Sequence, residues 1–272
     1  MSVYPRISRI SLAYLISHFH YVLVGAIVSV LGFARARPVF VIGVGHTGTT
    51  VVCNKLGESC EVYACPQETE MFLGGALRRY LYSMCLQGGA YIRNKHFFVE
   101  KTPMHREELT QILKYFPNAV IIVTSRDIKE TVASQLTRKG FSEKVIRDVF
   151  CDYIGLYKQL LNGSLKDLHI VRLEELETDL QSIFQCYKLS SSQNSYEEHY
   201  EYNWIETLFE TFGLGYEVTE HEKLRMSQIR DNTKSDNTKA LDLLEAYEHR
   251  ERVVKIDAAL RELLEASIDR HN

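Results

Sequence analysis

Pro38-Val39-Phe40-Val41-Ile42-Gly43-Val44-Gly45-His46-Thr47-Gly48-Thr49-Thr50 joins a short apolar run to a glycine-rich turn. Val39 to Val44 is β-branched and uninterrupted, the pattern of a strand buried on both faces. Val51-Val52-Cys53-Asn54-Lys55-Leu56 then reads as a helix. A strand, a glycine turn and a helix in that order make a phosphate cradle. The glycines let backbone N–H groups approach an anion, and the helix N-terminus adds partial positive charge. In the triphosphate-binding version, G-x-x-x-x-G-K-[ST], a Lys neutralises the β- and γ-phosphates. Here Gly43 and Gly48 keep the spacing and Thr50 stands at the hydroxyl position, but Thr49 replaces the Lys. The loop therefore suits a phosphate without a triphosphate tail.

Two later stretches extend this reading. Phe97-Phe98-Val99-Glu100-Lys101-Thr102-Pro103 is an apolar run ending in charge. Ala119-Val120-Ile121-Ile122-Val123-Thr124-Ser125-Arg126-Asp127 is another, with Ser134 eight residues past Arg126. Together with Gly45 to Thr50 these stretches resemble the sulfotransferases that use 3′-phosphoadenosine-5′-phosphosulfate (PAPS), over about Pro38 to Leu176, and the Golgi or carbohydrate type more than the cytosolic type. The resemblance implies a P-loop-like α/β fold of three layers, a central parallel sheet flanked by helices. It also implies that Gly45, His46, Thr47, Gly48, Thr49 and Thr50 hold the 5′-phosphosulfate, and that Arg126 and Ser134 hold the 3′-phosphate through forked donors and a hydroxyl.

The resemblance also assigns the chemistry. Sulfuryl transfer needs in-line positioning and stabilisation of spreading charge, and no metal is expected. The family usually has Lys or Arg where this chain has His46, which can still donate one hydrogen bond to the bridging oxygen. Lys101, in a stretch resembling E-K-[ST]-P, lies near the transferring group in the family and could supply positive charge. Gln67-Glu68-Thr69-Glu70-Met71-Phe72 is similar to the stretch carrying the family's base. Glu68 is the first candidate for that role, Glu70 the second and His105 an outside one. Arg230 or Lys234 could close over the adenosine, and Arg172 could be a strand-end salt-bridge partner. The acceptor implied is a hydroxyl, on a carbohydrate or a lipid-linked glycan. Two other readings stay open: a P-loop kinase-like nucleotide enzyme, and a non-catalytic membrane-bound protein that keeps the fold.

The 272 residues carry a formal net charge of −3, with 45% hydrophobic and 25% charged residues, an ordinary globular balance. Nothing here points to nucleic acid, so an anion site must be a local basic spot. Cys53, Cys60, Cys65, Cys85, Cys151 and Cys186 show no C-x-x-C spacing. Cys53 and Cys151 fall in apolar patterns that suggest free core thiols. Asn162-Gly163-Ser164 is a glycosylation sequon, meaningful only in a secretory lumen.

Ile10 to Phe33 is the most apolar region, between Arg6 and Arg9 on one side and Arg35 and Arg37 on the other. As one helix it would run about 36 Å, enough to cross a bilayer. The expectation is a membrane-associated segment over 1–37, as a span or an interfacial helix, and a sulfotransferase domain over 38–272. A buried helix packed on the domain is the alternative. With basic residues on both sides, orientation stays open between a Golgi single-pass type II anchor and attachment at a cytoplasmic membrane face.

Between these landmarks the pattern alternates. Strands are expected at Cys60 to Ala64, Phe97 to Val99, Ala119 to Thr124 and Asp167 to Leu173. Helices are expected at Phe72 to Leu86 with a stop at Gly88-Gly89, Arg106 to Tyr115, Val132 to Leu136 capped by Asp127, Ser142 to Leu161, Glu174 to Tyr187, Glu197 to Phe212 and Leu241 to Ile268. Lys188 to Asn194 and Ser227 to Lys239 read as polar loops. Strands separated by helices give a parallel sheet covered on its faces.

Overall fold

The computed structural model describes residues 15–33, 35–65, 68–140, 142–162 and 165–190, with shorter pieces at 238–245, 255, 258–262 and 265–266. Arg6, Arg9, Gln67, the helix expected at Glu197 to Phe212, Arg230, Lys234 and most of the loop before Lys239 lie outside them. Five strands form one parallel sheet in the order β2-β3-β1-β4-β5: β1 (Arg37–Gly43), β2 (Val62–Ala64), β3 (Phe97–Lys101), β4 (Val120–Ser125) and β5 (Leu168–Arg172). The registers pair Val62 with Phe97 and Ile121 with Leu168. The chain divides into two compact units, one of Met1–Val39, Cys53–Thr102 and Tyr187–Lys234, the other of Phe40–Val52, Pro103–Cys186 and Ser235–Asn272.

In the first unit, helix α1 (Phe19–Leu31) packs on a later helix, Ala76–Ile92. The contact is backbone to backbone. A Cβ on Gly25 would fall 1.9 Å from the Met84 carbonyl oxygen, and one on Gly88 would fall 1.9 Å from the Tyr21 carbonyl oxygen. Only glycine permits that approach. This explains why Gly88-Gly89 does not stop the Ala76–Ile92 helix, as the sequence suggested. The pair lies inside it, with the Tyr63 ring against Gly89. Gln87 then fixes the start of β1: the Ala36 N–H donates to its Oε1 and its Nε2 donates to the Ala36 carbonyl, both at 3.0 Å.

The long apolar N-terminal helix is not confirmed. Helix α1 has 13 residues, a left-handed Gly32 caps its end, and no helix among the described residues is long and apolar enough to cross a membrane. Residues 10–14 of the expected span lie outside the described residues.

The second unit holds the end of β1, then β4 and β5. Helix α2 (Thr49–Gly57) begins in it, and α3 is the Ala76–Ile92 helix of the first unit. The segment expected as one helix from Arg106 is a 3-10 turn, Pro103–Glu108, followed by α4 (Leu109–Tyr115). Helix α5 (Ile128–Lys139) starts on Asp127, whose side chain accepts from the Glu130 N–H, as the cap rule requires. Helix α6 (Glu143–Asn162) turns Tyr153 and Tyr157 fully inward. The Tyr153 hydroxyl donates to the Arg126 carbonyl at 3.0 Å, and Tyr157 shares a hydrogen bond with Ser125 at 3.0 Å. Two buried phenols thus fix the backbone at the end of β4. Burial, with Tyr157 beside it, holds the Tyr153 phenol well above its ordinary range. Helix α7 (Leu176–Tyr187) follows β5, and α8 (Thr238–Glu245) is the described start of the helix expected from Leu241.

All six cysteines are free. Cys53, Cys65 and Cys85 are buried, whereas Cys60, Cys151 and Cys186 are exposed. Cys151 therefore sits on the outer side of α6 and is not the core thiol its apolar neighbours suggested.

Candidate anion loop and lysine–carboxylate cluster

The glycine turn leaves β1 with its shape set from inside. Thr47 is fully buried. Its hydroxyl donates to the Val44 carbonyl at 2.7 Å and meets the Thr124 hydroxyl of β4 at 2.7 Å, and its N–H donates to the Val44 carbonyl at 3.2 Å. A Cβ on Gly43 would lie 2.3 Å from Thr124 Oγ1 and 2.6 Å from Thr47 Oγ1, so this hydroxyl pair exists only beside a glycine. Thr47 was expected to face the phosphate. Its hydroxyl and N–H are spent on the turn, and its role is to shape it.

The remaining loop groups differ. His46 and Gly48 both have left-handed backbone, φ 76° and 89°. For Gly48 that is unstrained, and a Cβ there would also meet Leu173 at 2.7 Å. For His46 it is a cost the surroundings must offset. Helix α5 supplies two ties. His46 Nδ1 lies 3.0 Å from Ser134 Oγ, and Gln135 Nε2 donates to the Gly45 carbonyl at 3.2 Å. Lys139 Nζ donates to Gln135 Oε1 at 2.8 Å and steadies the amide. Helix α2 begins at Thr49, so its first N–H groups have no acceptor within the helix and face the turn. Thr49 is buried and Thr50 half-buried. No acidic residue lies between Gly43 and Thr50.

The structure thus brings Ser134 to the turn. It holds Arg126 on Glu130 at 3.0 Å, one helical turn away on α5, with the Arg126 side chain mostly buried. Gln135 is a loop contact the sequence reading missed. Its only signal was its place beside Ser134, one residue further along the same helix. Asp127 is also a junction: its N–H donates to Glu174 and its carboxylate pairs with Arg261. Arg172 is the strand-end salt-bridge partner it was expected to be. Asp179 binds it at 2.8 Å and raises its pKa through that hydrogen bond. His105, the outside candidate, is fully buried with its ring edge-on to Phe40.

The first unit carries the second group of candidates. Lys101 stands at the strand end, as expected: it is the last residue of β3, and it is only 1% exposed. Its Nζ donates to Glu68 Oε1 at 2.9 Å, and the Glu68 side chain remains 24% exposed. Its neighbour Glu100 is fully buried and holds the segment that carries both candidate bases. Its Oε1 accepts from the Thr69 N–H at 3.2 Å, from the Thr69 hydroxyl at 2.8 Å and from the Thr102 hydroxyl. The Glu70 N–H in turn donates to the Thr102 hydroxyl at 3.2 Å. Glu70 has φ 49° and pairs with Arg78 at 3.1 Å, while Arg78 also donates to the Thr69 carbonyl at 2.9 Å. Of the two carboxylates, Glu68 meets the buried lysine and Glu70 is tied to a structural arginine. Burial pushes the nearby Cys53 thiol up to about 12, with Lys101 pulling it down and Glu100 pushing it up, so Cys53 stays protonated. Among the described residues no cluster of His, Cys, Asp and Glu could hold a metal ion.

The model of the Sulfotransferase family matches residues 67–185, less than half of the chain, and supports that family. The match takes in Lys101, Arg126 and Ser134 but begins after the glycine turn. No curated protein sequence matches. Three similar solved structures are the sulfotransferase STF1 from Mycobacterium tuberculosis (16% identity, 82% of this chain and 81% of that chain, TM-score 0.41), the sulfotransferase STF9 from Mycobacterium avium (12%, 72% and 82%, 0.42) and the sulfotransferase domain of the Synechococcus PCC 7002 olefin synthase (14%, 79% and 96%, 0.42).

Proposed function

We propose that this chain is a PAPS-dependent sulfotransferase acting on a hydroxyl acceptor. The observation that carries the reading is the 3.0 Å approach of Ser134 to His46. It joins the residue expected at the 3′-phosphate to the loop expected at the 5′-phosphosulfate, within one compact unit. The loop fits such a ligand in kind. Glycines stand where a Cβ would strike Thr124 or Leu173, helical N–H groups face the turn, and the turn itself contains no acidic residue.

In this reading the acceptor oxygen attacks sulfur, the bond from sulfur to the bridging phosphate oxygen breaks, and adenosine 3′,5′-bisphosphate leaves. Glu68 takes the acceptor's proton, Lys101 orients that carboxylate and offsets negative charge, and His46 donates toward the bridging oxygen. The loop N–H groups and the Thr49 and Thr50 hydroxyls hold the 5′-phosphate, and Ser134 with Arg126 holds the 3′-phosphate. Arg126 exchanges Glu130 for the phosphate when the donor binds. A carbohydrate or lipid-linked glycan is the acceptor class that the Gln67 to Phe72 stretch suggests by its likeness to carbohydrate-type enzymes.

The test is transfer of labelled sulfate from PAPS to a panel of sugar, glycolipid and phenol acceptors, beside an assay for Mg²⁺-dependent ATP turnover. The expected result is transfer without ATP turnover, lost in Glu68→Gln. ATP turnover, or no transfer to any acceptor despite donor binding, would overturn the reading in favour of a nucleotide enzyme or a non-catalytic relative.

A further inference from the structure

Helix α1 is apolar on both faces, yet only one is covered. Tyr21, Val22, Gly25 and Val28 are buried, and the helix packs on α3. Phe19, Leu23, Ile27, Val30 and Leu31 recur every three or four residues on the other side, and each is more than half exposed, Val30 at 84%. The stripe continues beyond the helix, where the exposed Phe33 ring stacks on the exposed Tyr91 ring of α3 at 5.9 Å. A continuous apolar stripe of this kind is costly in water and marks a surface that another phase or molecule covers.

The charges around it identify the occupant. Residues 15–37 and 71–96 contain no aspartate or glutamate, but carry Arg35, Arg37, Arg79, Arg93 and Lys95, besides Arg78, which pairs with Glu70, in a chain whose formal net charge is −3. Arg35 is exposed at the end of the stripe, with its guanidinium on the Ser29 carbonyl at 3.1 Å. A second copy of this face would set like charge against like charge, whereas an anionic lipid surface complements it. With 13 residues α1 runs about 20 Å, short of the about 30 Å hydrocarbon layer. We propose that the α1 stripe with Phe33 and Tyr91 is a monotopic membrane-docking face that lies in the headgroup boundary of an anionic leaflet without crossing it. The proposal is independent of the sulfotransferase reading.

The test is co-sedimentation of the full chain with vesicles of phosphatidylcholine alone and of phosphatidylcholine with phosphatidylserine. The chain is expected to pellet with the anionic vesicles and less so as salt rises. Leu23→Ser with Ile27→Ser should weaken the partition by about tenfold or more, and Arg35→Glu should weaken it at low salt. Unchanged thermal melting shows that the double variant folds; if it does not, Val30→Ser alone takes its place. Failure of the wild type to pellet with either vesicle overturns the proposal, as does a folded variant that pellets like the wild type. Lipid-free self-association abolished by the same substitutions also overturns it and assigns the face to a second copy.

Discussion

The glycine turn and the lysine–carboxylate cluster handle charge by opposite means. The turn carries no acidic side chain and fixes its shape with hydroxyls and carbonyls: Thr47 to Val44 and Thr124, and Gln135 to Gly45. What it offers a ligand is chiefly backbone. The cluster is built of acidic and basic side chains, mostly buried: Lys101 on Glu68, Arg78 on Glu70, and Glu100 on three donors. The difference teaches where each region is vulnerable. A turn made of backbone is damaged by adding atoms, and a cluster of charges by removing them.

The largest expected effect is therefore a deletion in the cluster. Lys101→Met should lower kcat by about 10²–10³, the size seen when one preorganised stabilising group is lost. Adenosine 3′,5′-bisphosphate affinity, measured by calorimetry, should hold within a few-fold. A parallel loss of affinity would break the comparison by placing Lys101 among the cofactor-binding groups. Next comes an addition in the turn. Gly43→Ala puts a methyl 2.3 Å from Thr124 Oγ1 and should cost about 1–3 kcal/mol of stability in urea unfolding, the range for overpacking. An unchanged midpoint would show that the hydroxyl pair moves aside freely.

Thiol chemistry probes the cluster's dryness. Burial pushes Cys53 and Cys85 up to about 12. The unfolded chain releases these protons from about pH 9 and the folded chain does not, so stability is complete below pH 9 and falls above it. The expected slope is about 1.4 kcal/mol per pH unit for each thiol. In native protein Cys60, Cys151 and Cys186 should alkylate while Cys53 and Cys85 do not, as mass spectrometry would read. Early labelling of Cys53 would mean that water reaches the Lys101 region. The smallest effect is expected for Gln135→Ala, which removes one neutral tie to the turn and should cost about 1 kcal/mol of cofactor binding.

The sequence made the turn legible because its physics is local. Gly43, Gly48 and Thr50 keep fixed spacing, the β-branched run leading into the turn reads as a buried strand, and the run after it reads as a helix. The cluster was legible in its members but not in its wiring. Glu100 and Lys101 looked like a polar strand end; they stay in β3 because Thr69, Thr102 and Glu68 satisfy them from distant positions. Gly88-Gly89 misled for the same reason. Glycine commonly ends a helix, but here the pressure of α1 and Tyr63 explains it. The N-terminal run was read as long enough to span a bilayer, yet no apolarity count could reveal that Gly25 seats half of it on α3. Gln135 belonged to no motif and is defined only by the approach of α5 to the turn.

The central claim is that the glycine turn and the start of α5 grip one doubly phosphorylated adenosine. Calorimetric titration of adenosine 3′,5′-bisphosphate into wild type, Arg126→Ala and Ser134→Ala tests it most directly. Binding to the wild type is predicted, with a loss of about 2–4 kcal/mol in Arg126→Ala for removal of one partner of a charged contact. Ser134→Ala should lose about 1 kcal/mol, the contribution of a single hydroxyl. Equal affinity in all three proteins, or no binding to the wild type, would contradict the claim.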